Sequence, residues 1–275
     1  MNCLVLGDMG KGTDDQLKVA KSMKQLYKKY DIKFVLGLGD NIYPDGCESV
    51  NDPLFQTHFE DPYSILPNHK WYMCLGNHDY GYMEGGPRGL LDNSKCQVDY
   101  TKHSKKWHMP SKYYSFTKGP VEFFYLDTNF DRLSESIIQK QLKVMKHKLD
   151  SSKKKFKVVI GHHTWRSIAG HGNAEPRLEV FLNDLFKDTK PHLYLCGHDH
   201  CKSVIVKDGM TLGIIGTGGE PYDEPNVNLG SMKDCQINYF SPSLGAGVLQ
   251  IGKNNLTLKF FNEKGFCEYT HKIKG

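Results

Sequence analysis

The sequence lacks any long apolar run, and the short apolar stretch near its N-terminus ends at Asp8. A helix needs about 20 mainly apolar residues to cross a bilayer, and a secretory signal needs a longer apolar segment than this one. No membrane span and no membrane partner are therefore expected. The same absence favours a cytoplasmic location, while a processed form of a secreted protein stays open.

Closely spaced cysteine pairs are also missing, since none of the eight cysteines forms a CxxC motif. Zinc ribbons and thioredoxin-like enzymes depend on such pairs, so the sequence favours neither class. Cys3, Cys74 and Cys196 fall in apolar, strand-like stretches and are expected to be buried free thiols. Disulfides among the remaining cysteines stay open.

A strong charge of one sign is absent as well. The 36 basic and 31 acidic residues leave a formal net charge of +5, without the concentrated basic character of a nucleic-acid-binding domain. No nucleic-acid partner is therefore expected, whereas a small anionic substrate is compatible with this balance. The chain has no internal repeat, linker or low-complexity segment, so we predict one domain over residues 1–275.

Apolar periodicity predicts alternating strands and helices over the first two thirds of the chain. Predicted strands cover 3–6, 34–38, 71–75, 121–126, 156–160 and 192–196, and predicted helices cover 14–30, 134–149 and 177–186. Leu17 of the first helix and Ile137 of the second are placed on core-facing sides. Residues 203–272 are predicted to be rich in strands, and 81–110 to form a long irregular excursion. This order indicates an α/β fold with a largely parallel sheet.

Five short polar segments follow predicted strands. They read DMG, GDNIY, GNHD, VIGH and GHDH, at residues 8–10, 39–43, 76–79, 159–162 and 197–200. Each alone is compatible with an ordinary polar turn, but open α/β sheets usually bind ligands at the carboxyl ends of their strands. Together the segments supply donors for two metal ions about 3.5–4 Å apart, an arrangement that promotes attack on phosphorus.

The donors divide into two groups around one carboxylate. Asp40 is the natural bridge, because a bridging carboxylate reduces the repulsion between two cations. The hard oxygens of Asp8 and Tyr43, together with His200, suit a trivalent ion. A phenolate ligand stabilises Fe(III) and predicts a visible charge-transfer band. The second group, which suits a divalent ion, contains Asn77, His162 and His198.

The sequence around these donors resembles a known family. Besides the five segments, the similarity includes residues 100–111, 126–128, 165–171 and 193–200, so it covers nearly the whole chain. The chain resembles the calcineurin-like metallophosphoesterases, and among them the purple acid phosphatases, with the small mammalian tartrate-resistant type as the best match. The resemblance implies a four-layer α/β/β/α sandwich of two mixed sheets.

The resemblance also implies the cofactors and the reaction. Fe(III) is expected at Asp8, Asp40, Tyr43 and His200, and Fe(II), Zn or Mn at Asp40, Asn77, His162 and His198. An acid phosphatase of this kind hydrolyses phosphate monoesters by attack of a metal-bound hydroxide. His78 and His171 are expected to bind phosphate and protonate the leaving group, and Asp79 to orient His78. His163 and His108 are weaker candidates, expected at the rim.

The expected substrate is a small phosphate monoester, which includes phosphoproteins and nucleotides. A protein Ser/Thr phosphatase of the same superfamily is disfavoured, because Gly10 stands where that class has a histidine ligand and no arginine follows Tyr43. A phosphodiesterase or nucleotidase stays open, since the same metals serve both. A non-enzymatic scaffold is disfavoured because every ligand position is filled.

The loops at 81–93 and 218–234, expected to select the substrate, contain no motif that identifies it. The oligomeric state is not predicted.

Overall fold

The computed structural model describes residues 1–81, 92–220 and 232–275 of the chain. The strands in those ranges are β1 (Asn2–Leu6), β2 (Ile32–Gly37), β3 (Trp71–Tyr72), β4 (Trp107–His108), β5 (Tyr114–Lys118), β6 (Val121–Tyr125), β7 (Phe156–Ile160), β8 (Leu193–Cys196), β9 (Lys202–Lys207), β10 (Met210–Ile215), β11 (Cys235–Ser241), β12 (Gly245–Ile251), β13 (Asn255–Asn262) and β14 (Cys267–Lys274). The α-helices there are α1 (Asp14–Tyr30), α2 (Pro53–Phe55), α3 (Ser94–Asp99), α4 (Glu135–Ser151) and α5 (Pro176–Leu185). A π-helical segment at Gln56–Glu60 continues α2, and 3-10 turns lie at His78–Tyr80 and Tyr100–Lys102.

Within the described ranges the strands pair into two mixed sheets of seven. The first has the order β14-β13-β12-β1-β2-β3-β4, and its central strand β1 pairs in parallel with β2 and antiparallel with β12. The second has the order β11-β9-β10-β8-β7-β6-β5, with β6, β7, β8 and β10 running in parallel. Parallel neighbours end at the same edge of a sheet, so the loops after them can contribute to one site.

The two sheets pack face to face through aromatic side chains. Phe34 of β2 makes edge-on contacts with Phe116 of β5 and Phe123 of β6, at ring-centroid distances of 6.3 and 5.8 Å. The hydroxyl of Tyr125 donates a 2.8 Å hydrogen bond to the carbonyl of Tyr72 across the same interface. Aromatic pairs of this kind add about 0.5–1.5 kcal/mol each beyond the burial of their area. Helices complete the layers, and the predicted α/β/β/α fold class is confirmed.

Helix α1 shows how local sequence sets the ends of an element. The side chain of Thr13 accepts a hydrogen bond from the amide of Gln16 and caps the helix, and Asp31 ends it in a left-handed conformation. The buried hydrophobic side chains of this helix are Val19, Ala20, Met23, Leu26 and Tyr27. The prediction for Leu17 was wrong: it is 42% exposed, because the 3.6-residue repeat through these positions leaves residue 17 at the flank. Ile137 of α4 is 44% exposed for the same reason.

The other predicted elements differ from the structure mainly at their ends. The third strand, β3, is shorter than predicted, and the helical stretch at 53–60 was not predicted at all. The predicted excursion at 81–110 contains α3 and β4, and its residues 82–91 lie outside the described residues. Asp208 and Gly209, with φ angles of 49° and 79°, form the turn between β9 and β10. In the described residues, no helix is long and apolar enough to cross a membrane. The single domain over residues 1–275 stays a prediction.

Removing the Phe34 ring should destabilise the protein, because the ring fills the space between the sheets. Phe34→Ala should lower the free energy of unfolding by about 3–5 kcal/mol. Phe266, which is 67% exposed, provides the matched control. Phe266→Ala should change the free energy of unfolding by less than about 0.5 kcal/mol. Urea unfolding followed by fluorescence measures both variants. Equal losses would contradict the placement of Phe34 between the sheets.

Candidate metal centre

The loops after two pairs of parallel strands, one pair in each sheet, bring predicted metal ligands together. Asp8 and Asp40 follow β1 and β2, whereas His162 follows β7, and His198 and His200 follow β8. Asp8, Asp40 and His198 have positive φ angles of 56°, 50° and 70°. Residues other than glycine rarely adopt this conformation, which persists only where the surrounding structure holds it. Strained turns that carry polar side chains are typical of functional sites.

Predicted ligands of the first group converge on the hydroxyl of Tyr43. Its oxygen lies 3.0 Å from Oδ2 of Asp40 and 3.3 Å from Oδ1 of Asp8. Nε2 of His200 lies 3.3 Å from the same hydroxyl and 3.5 Å from Oδ1 of Asp8. Asp8, Asp40 and Tyr43 are buried. Two carboxylates, a phenol and an imidazole therefore share one largely buried volume.

The second group lies around Nε2 of His162. That atom is 3.1 Å from Oδ1 of Asn77 and 3.4 Å from Oδ2 of Asp40. Nδ1 of the same ring is 2.8 Å from the carbonyl of Leu38. Because a carbonyl oxygen only accepts, Nδ1 carries the proton and Nε2 is left as the potential metal ligand. The ring of His198 lies 5.0 Å from that of His162, so the second predicted group is also brought together.

The donors fit a metal centre. Asp8, Asp40 and His162 are all buried, and each offers a ligand atom within 4.8 Å of those of the other two. Carboxylate, phenol and imidazole groups are suitable ligands for iron, zinc and manganese. Oδ2 of Asp40 lies near both Tyr43 and His162, so one carboxylate belongs to both groups.

Burial and neighbouring charges perturb the ionisable groups of this centre. Burial would raise the pKa of Asp40, but the charges of His162 and His78 outweigh it and hold that pKa below its usual range. Burial would lower the pKa of His162, yet the Asp40 and Asp8 carboxylates raise it to about 9. Burial raises the pKa of Tyr43 well above its usual value, and the negative charges of Asp40 and Asp8 raise it further. Closely spaced buried carboxylates of this kind are stabilised by a bound cation.

The two histidines predicted to act on the substrate lie beside the metal donors. Nδ1 of His78 is 2.5 Å from the carbonyl of Pro44, so this nitrogen donates, and Nε2 lies 4.0 Å from Oδ2 of Asp40. The ring of His171 stacks on that of His198 at a centroid distance of 4.1 Å. The structure therefore places both predicted histidines next to the predicted ligands.

Asp79, predicted to orient His78, has a different set of contacts. Its buried carboxylate accepts hydrogen bonds from the amides of Asn41, Ile42 and Gly76, at 2.9, 3.2 and 2.7 Å. The side-chain amides of Asn41 and Gln97 donate to it at 3.0 and 2.7 Å. Burial, followed by the charge of Asp40, raises the pKa of Asp79 to about 7. Asp79 thus ties together the loops that carry Asp40 and Asn77, which suggests a positioning role.

Two further histidines were expected at the rim. Nδ1 of His163 lies 2.8 Å from the hydroxyl of Thr128, and its ring is 4.5 Å from that of His198. Burial lowers the pKa of His163 to about 3, and this partly buried side chain lies beside the other histidines of the site. His108 lies on β4 and packs edge-on against Tyr72, at a centroid distance of 5.2 Å.

Several supporting residues were not found by sequence reasoning. The hydroxyl of Thr128 accepts hydrogen bonds from the amides of His162 and His163, and the Asp199 carboxylate accepts one from the amide of His171. Asp199 lies within the GHDH segment, where its position next to two predicted ligands is a usable signal. Thr128 lies in the segment 126–128 that resembles the family, but neither it nor Gln97 carries a local signal for these contacts, because their partners become neighbours only in the folded chain.

Two motif glycines allow the backbone to approach the carboxylates. A Cβ on Gly76 would overlap a carboxylate oxygen of Asp40, and one on Gly197 would overlap a carboxylate oxygen of Asp8. Glycine is therefore required in GNHD and GHDH for a steric reason, because the backbone there packs closely against the carboxylates of predicted metal ligands.

Comparison with known proteins agrees with this geometry. The family model for calcineurin-like phosphoesterases matches residues 1–202. The chain therefore belongs to the calcineurin-like phosphoesterase family, as its motifs predicted.

Proteins of similar sequence and structure indicate which kind of phosphoesterase the chain resembles. Purple acid phosphatase 7 of Arabidopsis thaliana is 32% identical over 260 residues, which are 87% of this chain and 76% of that protein. Tartrate-resistant acid phosphatase type 5 of Oryctolagus cuniculus is 30% identical over 237 residues, 78% of this chain and 69% of that protein. Among solved structures, the anchor in the inner membrane complex of Plasmodium has a TM-score of 0.82 at 26% identity, covering 100% of this chain and 88% of that chain. Two predictions are confirmed: the chain resembles the purple acid phosphatases, and it is a phosphatase.

The position of Asp79 predicts a loss of stability and of metal when its carboxylate is removed. Asp79→Ala leaves several buried donors without an acceptor, and should lower the free energy of unfolding by about 3 kcal/mol or more. The loops that carry Asp40 and Asn77 should loosen, so less metal should remain after gel filtration. Urea unfolding of metal-stripped protein and elemental analysis of the reconstituted protein measure the two effects.

Asp99, which forms an exposed ion pair with Lys95, provides the control for this change. Asp99→Ala should cost less than about 1 kcal/mol and leave the metal content unchanged. An Asp79→Ala protein that keeps both its stability and its metal, and loses only activity, would contradict the positioning role.

Proposed function

We propose that this protein is a phosphatase with two metal ions that hydrolyses phosphate monoesters. The observation that carries the proposal is the position of Asp40. Its Oδ2 atom lies 3.0 Å from the hydroxyl of Tyr43 and 3.4 Å from Nε2 of His162. A carboxylate shared by a phenol-containing group and an imidazole-containing group is suited to bridging two cations. The names of the plant and mammalian relatives support the same chemistry.

The proposed metals follow from the donor types. Fe(III) binds Asp8, Asp40, Tyr43 and His200, and Fe(II), Zn or Mn binds Asp40, Asn77, His162 and His198. A phenol with hard carboxylate oxygens suits a trivalent ion, whereas an amide oxygen with imidazoles suits a divalent one. When bound, the ions acidify water to provide a nucleophile and offset charge on the phosphoryl oxygens.

The chain's own histidines would hold the ester and move a proton. Nδ1 of His78 donates to the carbonyl of Pro44, which turns Nε2 towards the carboxylate of Asp40. We assign to Nε2 the binding of a phosphoryl oxygen and the donation of a proton to the leaving oxygen. His171, held by its amide on Asp199 and by its ring on His198, is assigned to phosphate binding.

The geometry at Gly10 disfavours a protein Ser/Thr phosphatase. A Cβ at this position would overlap the carbonyl of Asn41, so the backbone leaves no room for the histidine ligand that the alternative class has there. The lack of an arginine after Tyr43 points the same way. A scaffold role is a further alternative, since the Plasmodium relative is described as an anchor. The convergence of the predicted donors favours catalysis instead.

The proposed substrate is a small phosphate monoester, with phosphate groups on proteins and nucleotides included. No nucleic-acid or membrane partner is proposed. The loops expected to select the substrate fall largely on residues 82–91 and 221–231, which lie outside the described residues.

Metal content, absorption and ester preference of the purified protein test the proposal together. We expect about two metal ions per chain, at least one of them iron, with a broad visible band from phenolate to Fe(III). Tyr43→Phe should abolish the band, whereas the control Tyr113→Phe should keep it. Hydrolysis of p-nitrophenyl phosphate should be clearly faster than hydrolysis of its bis-ester.

Each readout has an outcome that contradicts the proposal. A faster reaction with the bis-ester would indicate a phosphodiesterase. A folded protein that binds no iron and stays inert after reconstitution with iron, zinc or manganese would favour the scaffold. A visible band that survives in Tyr43→Phe would remove Tyr43 from the ligands.

The role assigned to His78 predicts that the decrease in rate after its replacement depends on the leaving group of the ester. His78→Asn should slow hydrolysis of an alkyl phosphate by about 100-fold or more, because an alkoxide leaves poorly without a proton. The loss with p-nitrophenyl phosphate should be much smaller, since p-nitrophenolate leaves without protonation. Steady-state kcat values for the two esters measure the difference, with His147→Asn on the exposed side of α4 as control. Equal losses on both esters would limit His78 to phosphate binding.

A further inference from the structure

An ion pair lies directly beside the Tyr43 and His200 side of the site. Nζ of Lys11 is 2.5 Å from Oε2 of Glu220, and the same Glu220 oxygen is 3.5 Å from Nδ1 of His200. Nζ of Lys11 also lies over the ring of Tyr43, 4.1 Å from its centroid. These contacts link a cation and a carboxylate to two predicted ligands of the same metal.

Lys11 faces the aromatic ring at close range. Its side chain is only 24% exposed, and its ammonium group forms an ion pair with the Glu220 carboxylate. A cation at this distance interacts with the quadrupole of the ring, and more strongly with a ring that carries negative charge. The charge of Lys11 therefore lies over the face of the Tyr43 ring, where it can act on the ring electrons.

Glu220 contacts the ring nitrogen of His200 that faces away from the centre. Nε2 of His200 lies near Tyr43 and Asp8, so Nδ1 is the nitrogen that can donate to Glu220. A carboxylate on the outer nitrogen fixes the tautomer and orientation of a ligating histidine.

The backbone that carries Glu220 is tied to the first loop of the chain. The carbonyl of Gly219 accepts a 3.2 Å hydrogen bond from the hydroxyl of Thr13, and the amide of Gly218 donates a 3.1 Å hydrogen bond to the carbonyl of Gly7. Glu220 is thus held next to Lys11 and is not a freely moving surface carboxylate.

We propose that Lys11 and Glu220 form a positioning pair for the iron ligands. Glu220 orients His200, and Lys11 reduces electron donation from Tyr43 through the face of its ring. This inference rests on the proposed Fe(III) site. It adds two residues outside the ligand motifs that set the affinity and the absorption of that site.

The visible band reports the effect of Lys11. A positive charge over the ring stabilises the filled orbitals from which charge transfer to iron starts. Removing that charge raises these orbitals and lowers the transition energy. Lys11→Met should therefore move the band to longer wavelength, by a shift on the order of 10 nm for a cation–π contact of ordinary strength.

The test compares iron-loaded variants by absorption and by competition with a chelator. Lys11→Met should retain iron and show the shift, Lys11→Arg should restore the band of the unaltered protein, and the control Lys18→Met should leave it unchanged. Glu220→Gln should weaken iron binding by about 10-fold or more, because the carboxylate beside Nδ1 of His200 is lost. Glu263→Gln, in the turn between β13 and β14, is its control.

The outcomes separate this inference from the proposed function. A band that stays in place in iron-loaded Lys11→Met, or a Glu220→Gln protein with unchanged iron affinity, would overturn the corresponding half of the pair while the phosphatase site stands. An unaltered protein that binds iron without a visible band would overturn the Tyr43 assignment, and with it this inference.

Discussion

The geometry of the site depends on one buried carboxylate, that of Asp40. Its Oδ2 atom lies near both Tyr43 and His162, while Oδ1 accepts a hydrogen bond from the amide of His78. A second carboxylate, Asp8, shares the same buried volume. Two buried negative charges repel each other, and a bound cation is the most effective compensation. The surrounding loops hold together groups that would otherwise separate.

The sheets make this arrangement possible. The strained turns at Asp8, Asp40 and His198 stand at the ends of strands that are paired on both sides, so the cost of their backbone conformation is offset by the rest of the fold. Asp79 adds a second restraint, since its carboxylate binds amides of two ligand-bearing loops. These contacts restrain the loops that carry the donor atoms, and such restraint reduces the ordering that metal binding requires.

Much of the fold could be predicted because its signals are local. The bounds of α1 agree with the prediction, since a threonine cap and a regular apolar repeat mark it. The placements of Leu17 and Ile137 were wrong because a helical repeat read from a few residues leaves the edges of the buried face undefined. The helical stretch at 53–60 was missed because it is short and mixes polar with aromatic residues. In the site, the predicted ligands lie in motifs at strand ends, where a local sequence pattern marks them, whereas the contacts of Gln97, Thr128 and Glu220 have no such pattern.

The sequence by itself determined the family, the types of donor and their order along the chain, because strand ends and motif glycines are encoded over a few residues. Only the tertiary structure decided that Oδ2 of Asp40 faces both donor groups, that Asp79 binds backbone amides, and that Lys11 lies over the ring of Tyr43. Contacts such as the one between Lys11 and Glu220 join residues far apart in the chain. Their distances depend on how the strands pair and how the loops pack on one another, and no local pattern of residues encodes that.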